Sequence, residues 1–271
     1  LVTYDIYSDP TQEANFNAIA GALFILPFFL FSALAGQLAD TIEKTKVIRM
    51  VKTAEIFIML FGAAGIYLHN IPLMLAALFA MGVHSTFFGP IKYAILPQHL
   101  RSDEVLAGTG LVEAGTYVAI LVGMMLGGAM PIMTSIIAVI TIALVGYIVC
   151  RWVPPAPAQT TETKVDWNPI RASKSLIAFS MGNLELRYSV LAISYFWTIA
   201  AILSVQFIPL AKNVLLADKQ VAAVLLVAFS AGIAIGSVSI NALLKGDISA
   251  RYSAPSVLAL GALLVGFYAV C

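Results

Sequence analysis

Along most of this chain, long runs without Asp, Glu, Lys or Arg alternate with short connectors rich in them. A helix rising about 1.5 Å per residue needs about 20 apolar residues to cross a bilayer. Between Glu13 and Asp40 lie 26 uncharged residues, which predict one span. Between Glu55 and Lys92 lie 36, too many for one crossing, interrupted by His69-Asn70-Ile71-Pro72. That run predicts a helical hairpin with arms over 47–68 and 71–96. Between Glu113 and Arg151 lie 37, broken at Gly127-Gly128-Ala129-Met130-Pro131, which predicts a second hairpin. Runs of 24 residues after Arg187, 25 after Lys219 and 20 after Arg251 bring the expectation to eight spans. The runs are apolar all round, as helices of a lipid-facing bundle should be. Barrel strands would alternate strictly over about 10 residues. The predicted fold class is an all-α polytopic membrane protein.

The connectors set the orientation. With Asp40–Lys52 in the cytoplasm, twelve Lys and Arg fall on that side, two (Lys212 and Lys219) fall outside, and Lys92 lies within a span. Basic residues concentrate on cytoplasmic loops. The long polar stretch from Arg151 to Arg187 contains Pro154, Pro155, Pro157 and Pro169 and reads as a cytoplasmic linker rather than a folded domain. The expected organisation is therefore a bundle over 1–150, a linker over 151–187 and a second bundle over 188–271.

Composition agrees. Charged residues make up 11% of the chain, against about 25% in soluble domains. A net charge of +1 supplies no field to attract nucleic acid. Cys150 and Cys271 provide no disulfide framework. No charged segment precedes an apolar one at Leu1 as in a signal peptide, and both ends read as cut from a longer chain.

Two inner loops resemble each other at a spacing of 200 residues: Gly36 to Arg49, and Gly236 to Arg251. Each has a glycine near the inner end of a span and basic residues shortly after. With the linker between them, they fit two parallel halves. Gly36-x-Leu38-Ala39-Asp40-x-x-x-Lys44-x-Lys46 is similar to the loop motif between the second and third helices of major-facilitator proteins. The resemblance implies helices two to nine of a twelve-helix transporter. It also implies a gating role for Gly36, Asp40, Lys44 and Lys46, with glycine permitting close helix approach and Asp40 latching neighbouring helices. The copy at Gly236 lacks the aspartate.

Residues 84–131 carry a narrower resemblance. His84-Ser85-Thr86-Phe87-Phe88-Gly89-Pro90-Ile91-Lys92-Tyr93-Ala94-Ile95-Leu96-Pro97 and Gly110-Leu111-Val112-Glu113-Ala114 resemble the bacterial lysophospholipid transporter family. Ile193-Ser194-Tyr195-Phe196-Trp197 with Gln206-Phe207 is similar to it too. That resemblance implies an inner-membrane protein moving lysophospholipid for reacylation, with membrane lipid and a coupling ion as partners. It also implies, in some members, a fused or associated acyltransferase or acyl-acyl-carrier-protein ligase. Alternative expectations are a proton-coupled exporter of amphipathic drugs or metabolites, and a membrane anchor for such enzymes.

Charges inside spans are costly and usually face a cavity or a partner. Lys92 and Glu113 are the leading candidates: they pair or line a cavity, Lys92 meeting a phosphate and Glu113 an amine or a proton. The bland alternative is that Lys92 snorkels to the inner surface and Glu113 bridges helices. Tyr93 and Trp197 join them as cavity candidates. His84 near mid-span is expected to be a neutral histidine bonded to a neighbouring helix, with proton relay as the alternative. Glu55, three residues after Lys52, reads as a surface pair at an inner helix end. Gly89-Pro90 should kink its span, for gating or packing alike. Gly123-x-x-x-Gly127-Gly128 reads as a helix-packing pattern.

No Gly-x-x-x-x-Gly-Lys-[Ser/Thr] loop is present. His99 and Asp103 lack the spacing of glycerophospholipid acyltransferases, and no His/Cys/Glu cluster has metal-ligand spacing. The segment is expected to be non-enzymatic, without cofactor or metal.

Overall fold

The computed structural model describes residues 10–160, 165–216, 219–247 and 249–270. Ten α-helices follow in order among them: α1 (Pro10–Thr41), α2 (Lys44–Tyr67), α3 (Ile71–Ala94), the short α4 (Leu96–His99), α5 (Val105–Ala129), α6 (Ile132–Val149), α7 (Pro169–Gly182), α8 (Leu184–Pro209), α9 (Lys219–Leu244) and α10 (Ser253–Val270). Each of the eight expected spans is one of the eight long helices. Six of these, α1, α3, α5, α6, α8 and α9, are long and apolar enough to cross a membrane. The first half of α2 carries Lys44, Lys46, Arg49, Lys52 and Glu55, and α10 is a shorter apolar helix. Phe29, Phe57 and Leu258 stand exposed along these helices. Such surface suits hydrocarbon, where every backbone polar group must be satisfied inside the helix.

The hairpin turn between α2 and α3 forms for local reasons. His69 takes a positive φ of 54°. Asn70 then caps α3, its side chain accepting from Leu73 N–H at 3.0 Å. Pro72 occupies the first turn, where its missing N–H costs nothing. The second hairpin breaks at Met130, and Pro131 caps α6.

Two compact units result: Leu1–His99 with Leu126–Gly182, and Leu100–Met125 with Asn183–Cys271. In the first, α3 packs on α1 and on α2, and α2 packs on α6. A methyl on Gly82 of α3 would collide with the Phe24 carbonyl of α1, so only glycine permits that approach. Phe31 and Phe87 stack across the same interface with centroids 6.4 Å apart. At one end, Ala39, Val47, Ile48, Ile91 and Cys150 form a buried cluster. In the second unit, α5 and α9 touch backbone to backbone, since a methyl on Gly110 would meet the Ser237 carbonyl. That contact helps explain why Leu100–Met125 groups with later helices, across the sequential boundary expected at the linker. A methyl added at Gly36, Gly89 or Gly123 would meet nothing within 4 Å. Gly127 and Gly128 lie outside the residues whose surroundings are described.

Within the 151–187 stretch lies one helix of its own, α7. Asn168 caps α7 by accepting from Ile170 and Arg171 N–H, each at 3.1 Å. Pro169 opens the helix. Arg171 clamps Asp166 through two bonds of 2.6 Å and holds its carboxyl down at about 2. The Asp166 N–H donates to Gln37 Oε1 at 2.8 Å, tying the segment to α1.

Candidate functional site

Lys52 and Glu55 lie three residues apart on α2 and so share a face. His84 meets them from α3. Lys52 Nζ donates to Glu55 Oε2 at 2.7 Å, and His84 Nε2 lies 3.1 Å from the same oxygen. The histidine contact is at ion-pair distance without hydrogen-bond alignment. Relative side-chain exposures are 20% for Lys52, 11% for Glu55 and 7% for His84, so this is an interior junction. The surface-pair expectation for Glu55 is thereby corrected. The reason is α6, which passes so close that a methyl on Gly146 would sit 3.3 Å from Lys52 Nζ. Phe88 supplies the floor: Lys52 Nζ stands 5.1 Å from its ring centre, and His84 stacks on it at 5.9 Å. Such a cation–π contact partly replaces water around the ammonium.

His84 thus lies against the neighbouring helix α2, beside the Glu55 carboxylate. Both ring nitrogens, Nδ1 and Nε2, are buried with no hydrogen-bond partner among the described residues. His84 is one of the residues lining a cavity of ≈ 280 Å³ whose other lining residues, including Val51, Ile58, Phe79 and Phe87, are apolar.

The other expected site residues lie on separate helices. Lys92 sits in the last turn of α3, its Nζ 4.8 Å from the ring centre of half-buried Tyr93. A cation there is favoured by the helix dipole. Glu113 is half-buried on α5, one turn before buried Tyr117. Lys92 belongs to the first unit and Glu113 to the second. Trp197 on α8 is 51% exposed and packs edge-on to Phe196. Pro90 lies inside α3, which continues through it.

The loop motif is tied down by backbone hydrogen bonds. Asp40 is exposed, and among the described residues its carboxylate makes no ion pair. Its carbonyl, left free at the end of α1, accepts from Gln159 N–H at 2.9 Å and Thr160 N–H at 3.2 Å. Lys44 N–H donates to the Ala156 carbonyl at 2.9 Å, and Thr45 Oγ1 to the Pro154 carbonyl at 2.7 Å. Gln98 Nε2 donates to the Pro157 carbonyl at 3.1 Å, and His99 Nε2 lies 3.2 Å from that of Pro155. Prolines have no N–H, so this stretch offers carbonyls without demanding many acceptors in return. The 154–160 segment is thus a strap over the motif loop. Beneath it Lys44 is fully buried and its ammonium has no hydrogen-bond partner among the described residues, while Lys46 pairs with Glu43 at 3.0 Å on the surface. The strap was missed because its partners lie more than 50 residues away in sequence.

Long apolar helices packed around an interior ionic junction define a polytopic α-helical membrane protein. The profile described as Major Facilitator Superfamily matches residues 5–271, and the chain belongs to that superfamily. It is similar to the lysophospholipid transporter LplT of Klebsiella pneumoniae subsp. pneumoniae, 31% identical over 179 residues. The protein of that name from Escherichia coli O1:K1 / APEC is 29% identical over 180 residues, and that from Escherichia fergusonii 28% over 180. These matches cover 65% of this chain and 44% of each relative's own length. No solved structure matches the chain significantly.

Proposed function

We propose that this chain forms the central part of a secondary transporter that moves lysophospholipid across a bacterial inner membrane for reacylation on the cytoplasmic side. The observation that carries this reading is the similarity, near 30%, to proteins named lysophospholipid transporters. Residues 1–150 and 188–271 belong to the two halves of the bundle, joined by the linker, with basic loops inside. An acyltransferase or acyl-acyl-carrier-protein ligase, fused or associated, consumes the delivered lipid. Lys92 meets the substrate phosphate near the inner end of its helix, and Glu113 serves the amine or a proton.

The test is uptake of labelled lysophosphatidylethanolamine by spheroplasts expressing the full-length protein. Uptake should rise well above that of an empty vector. Lys92→Ala and Glu113→Ala should each lower it about tenfold, because losing a charge-assisted hydrogen bond costs about 1.5–3 kcal/mol. Background uptake by the parent protein would end the lysophospholipid assignment. Undiminished uptake by both variants at normal membrane levels would end the roles given to the two side chains.

A further inference from the structure

Helix α7 exposes Ile170, Leu176, Ile177 and Phe179. Its 14 residues reach about 21 Å at about 1.5 Å each, short of the about 30 Å of hydrocarbon that a span must cross. Arg171 and Lys174 stand among those apolar side chains, and exposed Trp167 precedes the helix. A short amphipathic helix with basic residues and a flanking tryptophan suits the headgroup layer of a bilayer.

Between α7 and α1 lies a groove of ≈ 490 Å³. Phe28, Phe29 and Leu30 line it from α1, and Ile170, Lys174 and Ile177 from α7. Position and charge limit what can fill it. The Asp166 N–H holds the start of this segment to Gln37. Phe29 lies eight residues back along α1, a rise of about 12 Å. It is 79% exposed, on a helix long and apolar enough to cross a membrane. The groove therefore continues the surface that α1 turns to hydrocarbon. Lys174 is its one charged lining residue. Among the described residues Lys174 makes no ion pair, whereas Arg171, one turn earlier, is taken by Asp166. No acidic side chain lines the groove to answer an amine. The occupant needs an acyl tail for the aromatic wall and a headgroup of net negative charge for the lysine.

We infer that this groove binds a phospholipid of net negative charge from the surrounding leaflet, with its phosphate on Lys174 and one acyl chain along Phe28 and Phe29. The ammonium gives the phosphate a charge-assisted hydrogen bond, while the lysine stem lies on apolar surface. Basic pockets beside membrane helices hold anionic headgroups in this way. The lipid is a resident one, separate from the transported substrate: Lys92 and Glu113, the residues proposed for that substrate, do not line this groove. Phosphatidylethanolamine fits less well, because its ammonium would lie near Lys174 with no carboxylate to receive it.

The experiment uses full-length protein in phosphatidylcholine nanodiscs. They are doped with phosphatidylglycerol carrying a photoactivatable diazirine on one acyl chain, or with phosphatidylethanolamine of the same tails. After illumination, peptide mass spectrometry locates the adducts. Phosphatidylglycerol should label 28–33 and 170–177 about fivefold more than phosphatidylethanolamine, the factor that one lysine near the membrane surface supplies. Lys174→Gln should lower its labelling to the phosphatidylethanolamine level, and Lys174→Arg should keep the parent level. Lys174 is exposed, so neither change removes buried packing. Equal labelling by the two lipids, or undiminished labelling of Lys174→Gln, would overturn the inference. So would a groove labelled by neither lipid, which would mean that another protein segment covers it. The assay involves no transport, so its outcome is independent of the lysophospholipid reading.

Discussion

Glu55→Leu alone should destabilise the first unit by about 3 kcal/mol, because it strands the Lys52 ammonium in the bundle without its carboxylate. Breaking one half of a buried pair typically costs about 3–5 kcal/mol. The lower end applies here, since Lys52 keeps 20% side-chain exposure and its long stem gives it some access to water. Replacing both partners, Lys52→Met with Glu55→Leu, should recover most of the loss, because neither charge then remains buried. Denaturant unfolding in mixed micelles, followed by far-ultraviolet circular dichroism, gives all three values. A single variant as stable as the parent would mean that the pair is solvated and the junction is a surface feature after all.

The second large effect concerns the strap. Exchanging Pro154–Gln159 for a glycine–serine segment of equal length should release the loop that joins α1 to α2. Two of its backbone bonds reach the motif directly, at Lys44 and at the Asp40 carbonyl, and a third comes from Thr45 Oγ1. At about 0.5–1.5 kcal/mol net for each bond, the loss is about 1.5–4.5 kcal/mol. The flexible replacement also pays more entropy to return to one conformation. Amine acylation followed by mass spectrometry provides a sharp readout. Lys44, fully buried beneath the strap, should be protected in the parent and modified in the exchange variant, whereas exposed Lys46 should react in both. Equal protection of Lys44 in the two proteins would show that the strap is not what covers it.

How much of this could be read before the fold was seen follows from the range of the interactions. The helices and the turn at His69–Pro72 are local: the apolar runs have the length of a bilayer crossing, and Asn70 with Pro72 specifies the start of α3. A helix within the linker was legible too. Asn168-Pro169 is a cap signal, and Ile170, Ser173, Lys174 and Ile177 follow at helical spacing along a groove against α1. The high proline content obscured it. Glycine function was not legible, because it depends on the facing helix. Gly82 meets the Phe24 carbonyl, while Gly36, in the more suggestive motif, meets open space. Glu55 looked like half of an ordinary i,i+3 surface pair for the same reason. Its burial is imposed by α3 and α6, which arrive 29 and about 90 residues later in the chain. His84 was recognisable as an interior histidine, but its partner was not, since no local spacing links positions 55 and 84.

The whole account depends on helices that cross the bilayer in turn, with the motif loop and its strap on the inner face. Single cysteines at Lys46, His69 and Gln159, in a background with Cys150 and Cys271 replaced by serine, test this with a membrane-impermeant thiol reagent on intact cells. Position 69 should label from outside, and positions 46 and 159 only after permeabilisation. Labelling of 46 and 159 from opposite sides would contradict the fold, because the strap bonds directly to the loop that leads into Lys46.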